Sequence, residues 1–121
     1  MRLTVAYSDH NEAFARYLPR AGRVVGTLSS DVGTPGWCLL ELEAPFDYQL
    51  KVGEAFRFRE IVVTHFLLRS RWAGHDIGGA TPTSVFILLV EQGAVPIKAP
   101  IHVEDYVHIA WGMCTCEAGG G

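Results

Sequence analysis

From Ala21 onward apolar and polar residues alternate with a period of two. Clusters rich in Gly, Pro, Ser and Asp interrupt the alternation at "SSDVGTPG", "KVGE", "AGHDIGGATPT" and "EQGAVPIKAP". Successive side chains of a strand point to opposite faces, so this pattern predicts short strands joined by turns. Ahead of it, "RLTVAY" (2–7) reads as a first strand. The segment "SDHNEAFARYLP" changes period. Asp9 is a capping residue with Glu12 three positions on, Phe14 and Leu18 share a helical face, and Pro19 stops the turn. One short N-terminal helix is expected there.

In "WCLLELE" (37–43), Cys38, Leu40 and Leu42 fall on one face and Trp37, Leu39, Glu41 and Glu43 on the other. "FDYQL" (46–50) places Phe46, Tyr48 and Leu50 on one side, and "KVGE" then supplies a hairpin turn into the longest strand candidate, "FRFREIVVTHFLLRSRW" (56–72). Strict alternation along that strand collects Phe58, Glu60, Val62, Phe66 and Leu68 on one face. Arg57, Arg59, Ile61, Val63, His65, Leu67, Arg69 and Arg71 fall on the opposite face. This second face is apolar in its middle and basic at its ends, so Ile61, Val63 and Leu67 need cover from the helix, a second sheet or another copy of the chain. "VFILLV" (85–90) is apolar on both faces and reads as a central strand. The expected fold class is therefore α+β and β-rich: a predominantly antiparallel β-sandwich or small barrel of about six to eight strands with one short N-terminal helix. Residues 1–116 form a single β-rich domain in this reading, and 117–121 form a flexible C-terminal tail.

Length and composition narrow the function classes. A chain of 121 residues fits one domain with a core of its own, and 49% hydrophobic against 19% charged residues describes an ordered globular protein. A formal net charge of -3 offers no general attraction to a phosphate backbone, so nucleic acid is a disfavoured partner. No apolar run reaches the roughly 18 residues of a membrane span, and "MRLTVAYSDHNEAF" lacks the apolar core of a signal peptide. Three cysteines at no regular disulfide spacing agree with a reducing, cytoplasmic compartment. No cofactor is expected.

Two stretches carry candidate chemistry. In "IHVEDYVHIAWGMCTC" (101–116), alternation sets Val103, Val107, Ile109 and Trp111 against His102, Glu104, Tyr106 and His108. His102 and His108 would stand about 20 Å apart on a straight strand, too far to share an ion. His102 and Glu104 are neighbours on one face, and Cys114 and Cys116 form a C-x-C after Gly112, where the chain can bend. These four are the candidate metal ligands. A solvated strand face followed by a loosely ordered tail is the preferred reading, because a structural zinc site needs a closed ligand set. In "RSRWAGHDIGG" (69–79), Arg69 and Arg71 could donate to an anion, with His75 and Asp76 in the following loop. The competing reading is a strand end blunted by arginines, followed by a turn.

The first expectation for function is a small interaction or assembly protein, self-associating as a homo-oligomer or bound to a protein partner. Its contact surface would be the apolar sheet face of Ile61, Val63, His65 and Leu67. The second is an anion or small-ligand site, and an enzyme only in that case, using Arg69, Arg71, His75 and Asp76. The third is a metal-binding module using His102, Glu104, Cys114 and Cys116.

Overall fold

The alternating segments become six antiparallel strands in the computed structural model of the protein: β1 (Arg2–Asp9), β2 (Arg20–Leu28), β3 (Trp37–Val52), β4 (Arg57–Ser70), β5 (Thr83–Glu91) and β6 (Ile109–Cys116). The structure describes residues 2–9, 12–28, 36–52, 57–70, 77, 82–95, 101 and 109–116. Each strand pairs with the next in sequence, and β6 returns to pair with β1, from Leu3 opposite Cys116 to Asp9 opposite Trp111. The result is a closed barrel and not a sandwich. Closure leaves the shared part of the sheet without an edge. Among the described residues no helix is long and apolar enough to cross a membrane.

Inward positions fill the barrel with Leu3, Val5, Leu40, Leu42, Phe66, Leu68, Val85, Ile87, Leu89 and Cys114, all buried. A second apolar cluster lies on the outer surface. There Trp37 of β3, Leu67 of β4 and Leu88 and Val90 of β5 pack with Ile101, flanked by Leu28, Leu39 and Phe86. Both faces of β5 are thus buried, as "VFILLV" implies, and the cover comes from the chain itself.

Strict alternation fails in β4, and the register shows why. Ile61 and Val63 face the interior, yet so do Phe66 and Leu68. Thr64 stands as an extra residue between the pairs Val63–Glu91 and His65–Val90, a bulge that exchanges the two faces beyond it. Opposite Thr64, β3 inserts residues 42–45 between the pairs Glu41–His65 and Phe46–Val63, with Pro45 where no regular ladder is required. Ile61 and Val63 therefore belong to the interior and cannot form the intermolecular face expected of them. Leu67 does face outward, buried beneath the outer cluster, and His65 lies half-buried beside it.

The C-terminal stretch is also corrected. No bend follows Gly112. Residues 109–116 form one strand that closes the barrel, with Gly112 and Cys114 buried and Trp111 on the outer face against Phe86 at 4.3 Å between ring centroids. Gly112 is a regular strand position, paired with Ser8 of β1 and Val85 of β5. Between β1 and β2 the helix expected from "NEAFARYL" amounts to a single turn, α1 (Glu12–Ala15), which does not alter a β architecture. The tail 117–121 and the side chains of the Asp9–Glu12 capping box lie outside the described residues.

Candidate functional site

Strand lengths set the shape of the most distinctive surface. β1, β2, β5 and β6 span eight or nine residues each, whereas β3 spans 16 and β4 spans 14. β2 accompanies β3 only over Trp37–Leu42, and β5 accompanies β4 only over Val63–Ser70. The remainder, Phe46–Val52 paired with Arg57–Val63, runs on as a two-stranded ribbon about 20 Å long.

The inner face of the ribbon is bound to the barrel mouth by aromatic side chains. Phe46 stacks on Tyr17 at 4.7 Å between centroids, Tyr48 meets Phe14 edge-on at 6.3 Å, and Phe66 meets Phe14 at 5.8 Å. Such stacked and edge-to-face contacts stabilise beyond the area they bury. The Arg20 guanidinium lies 4.4 Å over the Phe46 ring, donates from Nε to the Tyr17 carbonyl at 3.0 Å and from Nη1 to the Ala44 carbonyl. α1 and the turn after it thus serve as a plug that holds the base of the ribbon.

The outer face is mixed, with Val62 opposite Asp47 and Glu60 opposite Gln49. Asp47, Gln49 and Glu60 are exposed, and Phe58, 58% exposed, is the most exposed large apolar side chain described. Nearer the barrel the outer surface carries ion pairs. Arg2 grips Glu43 with Nε and Nη2, Arg23 Nη2 meets Glu41 at 3.1 Å, and His65 Nε2 lies 3.9 Å from the same Glu41 carboxylate. The Arg2 hydrogen bond holds the Glu43 carboxyl below its ordinary range.

The three expected sites are placed as follows. Arg69 spends its guanidinium on aromatic faces, 4.7 Å over Trp37 and 5.5 Å over Phe86, so it ties the outer cluster together. Arg71, His75 and Asp76 lie outside the described residues. Of the metal candidates, His102 and Glu104 lie outside them too. Cys114 points into the barrel core, where burial, then the nearby Cys38 and Cys116, push its thiol up to about 12. A thiol held protonated is a poor nucleophile. Cys116 is half-buried against the same core, Cys38 and Cys114 are free, and no group of three His, Cys, Asp or Glu among the described residues could hold a metal ion. Of the interface candidates, Ile61 and Val63 are interior, Leu67 is covered, and His65 is held between Glu41 and the Thr64 hydroxyl, 2.8 Å from its Nδ1.

The periodicity located the hairpin but not that it extends past β2 and β5. The available signal was the length of "FRFREIVVTHFLLRSRW" beside its shorter neighbours. In comparison with known proteins, no family model, no curated protein and no solved structure matches the chain.

Proposed function

We propose that the chain is a non-enzymatic interaction domain that associates with a second copy of itself through the β3–β4 ribbon. The doubly apolar strands that first suggested association are covered within the barrel, so they no longer support it. What supports it is the ribbon: strand residues Phe46–Val52 continue past the end of β2 with β4 as their single strand neighbour among the described residues. A strand that runs past its sheet neighbour is a place where another chain can add a strand. Phe58 on the same ribbon adds exposed apolar surface.

Native mass spectrometry of the full chain over a concentration series tests this, with a dimer expected to grow in as concentration rises. Replacing residues 49–60 by Asn-Gly joins the Tyr48–Ile61 pair through a two-residue turn and is expected to leave a folded monomer. A full chain that stays monomeric, or a shortened chain that still dimerises, overturns the ribbon as the contact.

A further inference from the structure

Four outward residues stand in one row across the barrel wall. Phe86 of β5 pairs with Arg69 of β4 on one side and with Trp111 of β6 on the other. Trp37 of β3 lies one residue before the Cys38–Leu68 pair, level with Arg69. The Arg69 guanidinium lies 4.7 Å over the Trp37 ring and 5.5 Å over the Phe86 ring, and Phe86 meets Trp111 edge-on at 4.3 Å between centroids. Trp37 is fully buried, whereas Arg69, Phe86 and Trp111 are half-buried and reach the surface.

Two donors in this row lack an acceptor. Trp37 Nε1 is a buried N–H with no hydrogen-bond partner among the described residues. Stripping a donor of water without replacing the acceptor costs free energy, so buried polar groups are paired with few exceptions, and an orphan marks a place for an acceptor from outside the chain. Arg69 is the second. It meets aromatic rings alone: among the described residues no carboxylate or carbonyl oxygen pairs with any of its five N–H donors. The rings also hold the guanidinium in place, so little freedom is lost when its fork takes a ligand.

The two donors and their surroundings define the chemistry that fits. One guanidinium matches one carboxylate both in charge and in the planar two-oxygen geometry of the fork. A phosphate group carries up to about two charges and would set the second against the apolar Leu28, Leu39 and Phe86 that flank Trp37, where an unpaired charge is costly. The aromatic rings of Phe86 and Trp111 at the surface favour a ligand with a flat apolar body, which can pack on them face-on or edge-on.

We infer that this row binds a small aromatic carboxylic acid: the Arg69 fork takes the carboxylate, Trp37 Nε1–H donates to one of its oxygens, and the ligand ring lies against Phe86 and Trp111. Arg69 is long and half-buried, so it is the cover over Trp37 that shifts to admit the oxygen, while Leu67, Leu88 and Ile101 of the same cluster stay packed. The site lies on the barrel wall and does not depend on the association proposed for the ribbon.

Titration of the full chain with benzoate, followed at the assigned Trp37 Nε1–H signal in nitrogen–proton correlation spectra, tests this site. A saturable shift is expected, with a Kd on the order of 0.1–1 mM for so small a ligand. Benzamide, of the same size without the charge, and inorganic sulfate, charged without the ring, are each expected to bind about tenfold more weakly or worse. Arg69→Lys keeps the charge and the stem but loses the fork, and is expected to weaken benzoate about tenfold, with Arg69→Gln weaker still. Circular dichroism checks the fold of both variants, and the comparison of benzoate with benzamide on the parent chain stands without them. A Trp37 signal indifferent to benzoate, or equally responsive to benzamide, overturns the site. A benzoate response unchanged in folded Arg69→Lys and Arg69→Gln chains does the same, and an equal response to sulfate overturns the aromatic acid as its ligand.

Discussion

The β3–β4 hairpin is one continuous strand pair in two environments. Over Trp37–Leu42 and His65–Ser70 it is flanked by β2 and β5, buried by the barrel core on one side and by the Trp37–Leu67–Leu88 cluster on the other. Over Phe46–Val52 and Arg57–Val63 one face rests on the aromatic plug and the other meets solvent, with Phe58 on it. The same backbone ladder runs through both halves, so the ladder does not distinguish them. What differs is how many sides are covered. The barrel half carries the larger share of the buried core, and the ribbon half carries the outer surface on which the proposed association rests.

The sharpest way to break that contrast is to truncate one large aromatic in each half. Phe66 is fully buried between Phe14 and Phe46, and Phe66→Ala is expected to lower unfolding free energy by about 3–5 kcal/mol. Phe58→Ala is expected to stay within about 0.5 kcal/mol of the parent. Urea titration of the two chains measures both, and comparable losses would mean that Phe58 is as well packed as the core.

Alkaline pH addresses the barrel half selectively, because Cys38, Cys114 and Cys116 all belong to it or to the strand that closes it. Burial raises both the Cys38 and the Cys114 thiol. The folded Cys114 thiol keeps its proton to about 12, whereas the unfolded thiol releases it near 9.0. The folded state binds more protons between those values. The contribution is fully present below that window and is lost as pH rises through it, by up to about 1.4 kcal/mol per pH unit. Tyrosine and lysine titrate in the same range, so the diagnostic measurement is the difference between parent and Cys114→Ala. The variant is less stable at neutral pH and is expected to show a shallower decline in stability from pH 9 to 11. Parallel curves would place Cys114 in contact with water.

Gly22 sharpens the boundary between the halves, since it stands opposite Leu42, the last β3 residue that β2 accompanies. A Cβ there would collide with the Glu41 carbonyl oxygen and come within 2.9 Å of Leu40 Cγ. Gly22→Ala is expected to cost about 1–3 kcal/mol through overpacking. Gly26, in the same strand, has open space around it, and Gly26→Ala is expected to be neutral or mildly stabilising by reducing the freedom of the unfolded chain. Thermal melts of the two chains give the comparison directly.

The contrast also shows where the sequence was legible. Alternation located β1, β3, β4 and β5 but not the end of β6, and the double apolarity of 85–90 was a sound sign of two covered faces. It failed where period two is broken by something that periodicity cannot encode. The bulge at Thr64 transfers Phe66 and Leu68 to the face of Ile61 and Val63, and no residue type in "VVTHF" announces it. Gly112 was read as a bend because glycine serves both bends and tight inward positions, and only the pairing of β6 with β1 and β5 distinguishes the two. Arg69 was grouped with Arg71 as an anion site, but its partners, Trp37 and Phe86, are distant in sequence and became its neighbours only through the β3–β4 and β4–β5 pairings.

The smallest expected effect tests whether the outer ion pairs share in the stability of the barrel half. Glu41 faces both Arg23 and His65, so Glu41→Gln removes two partners at once while keeping shape and hydrogen-bonding capacity. Arg23 and Glu41 are both exposed, and an exposed pair contributes about 0–1 kcal/mol because water screens it and two long side chains must be held in place. Glu41→Gln is therefore expected to lower stability by no more than about 0.5 kcal/mol in low salt, with the difference vanishing in molar salt as screening shortens to about 3 Å. Urea titrations at the two ionic strengths decide it. A loss that is larger and indifferent to salt would show that the carboxylate works through His65 and the half-buried Thr64 hydroxyl at the bulge. The bulge would then be held by side-chain hydrogen bonding as well as by the apolar residues on either side of it, and the boundary between the closed barrel and the two-stranded ribbon would itself be a polar joint.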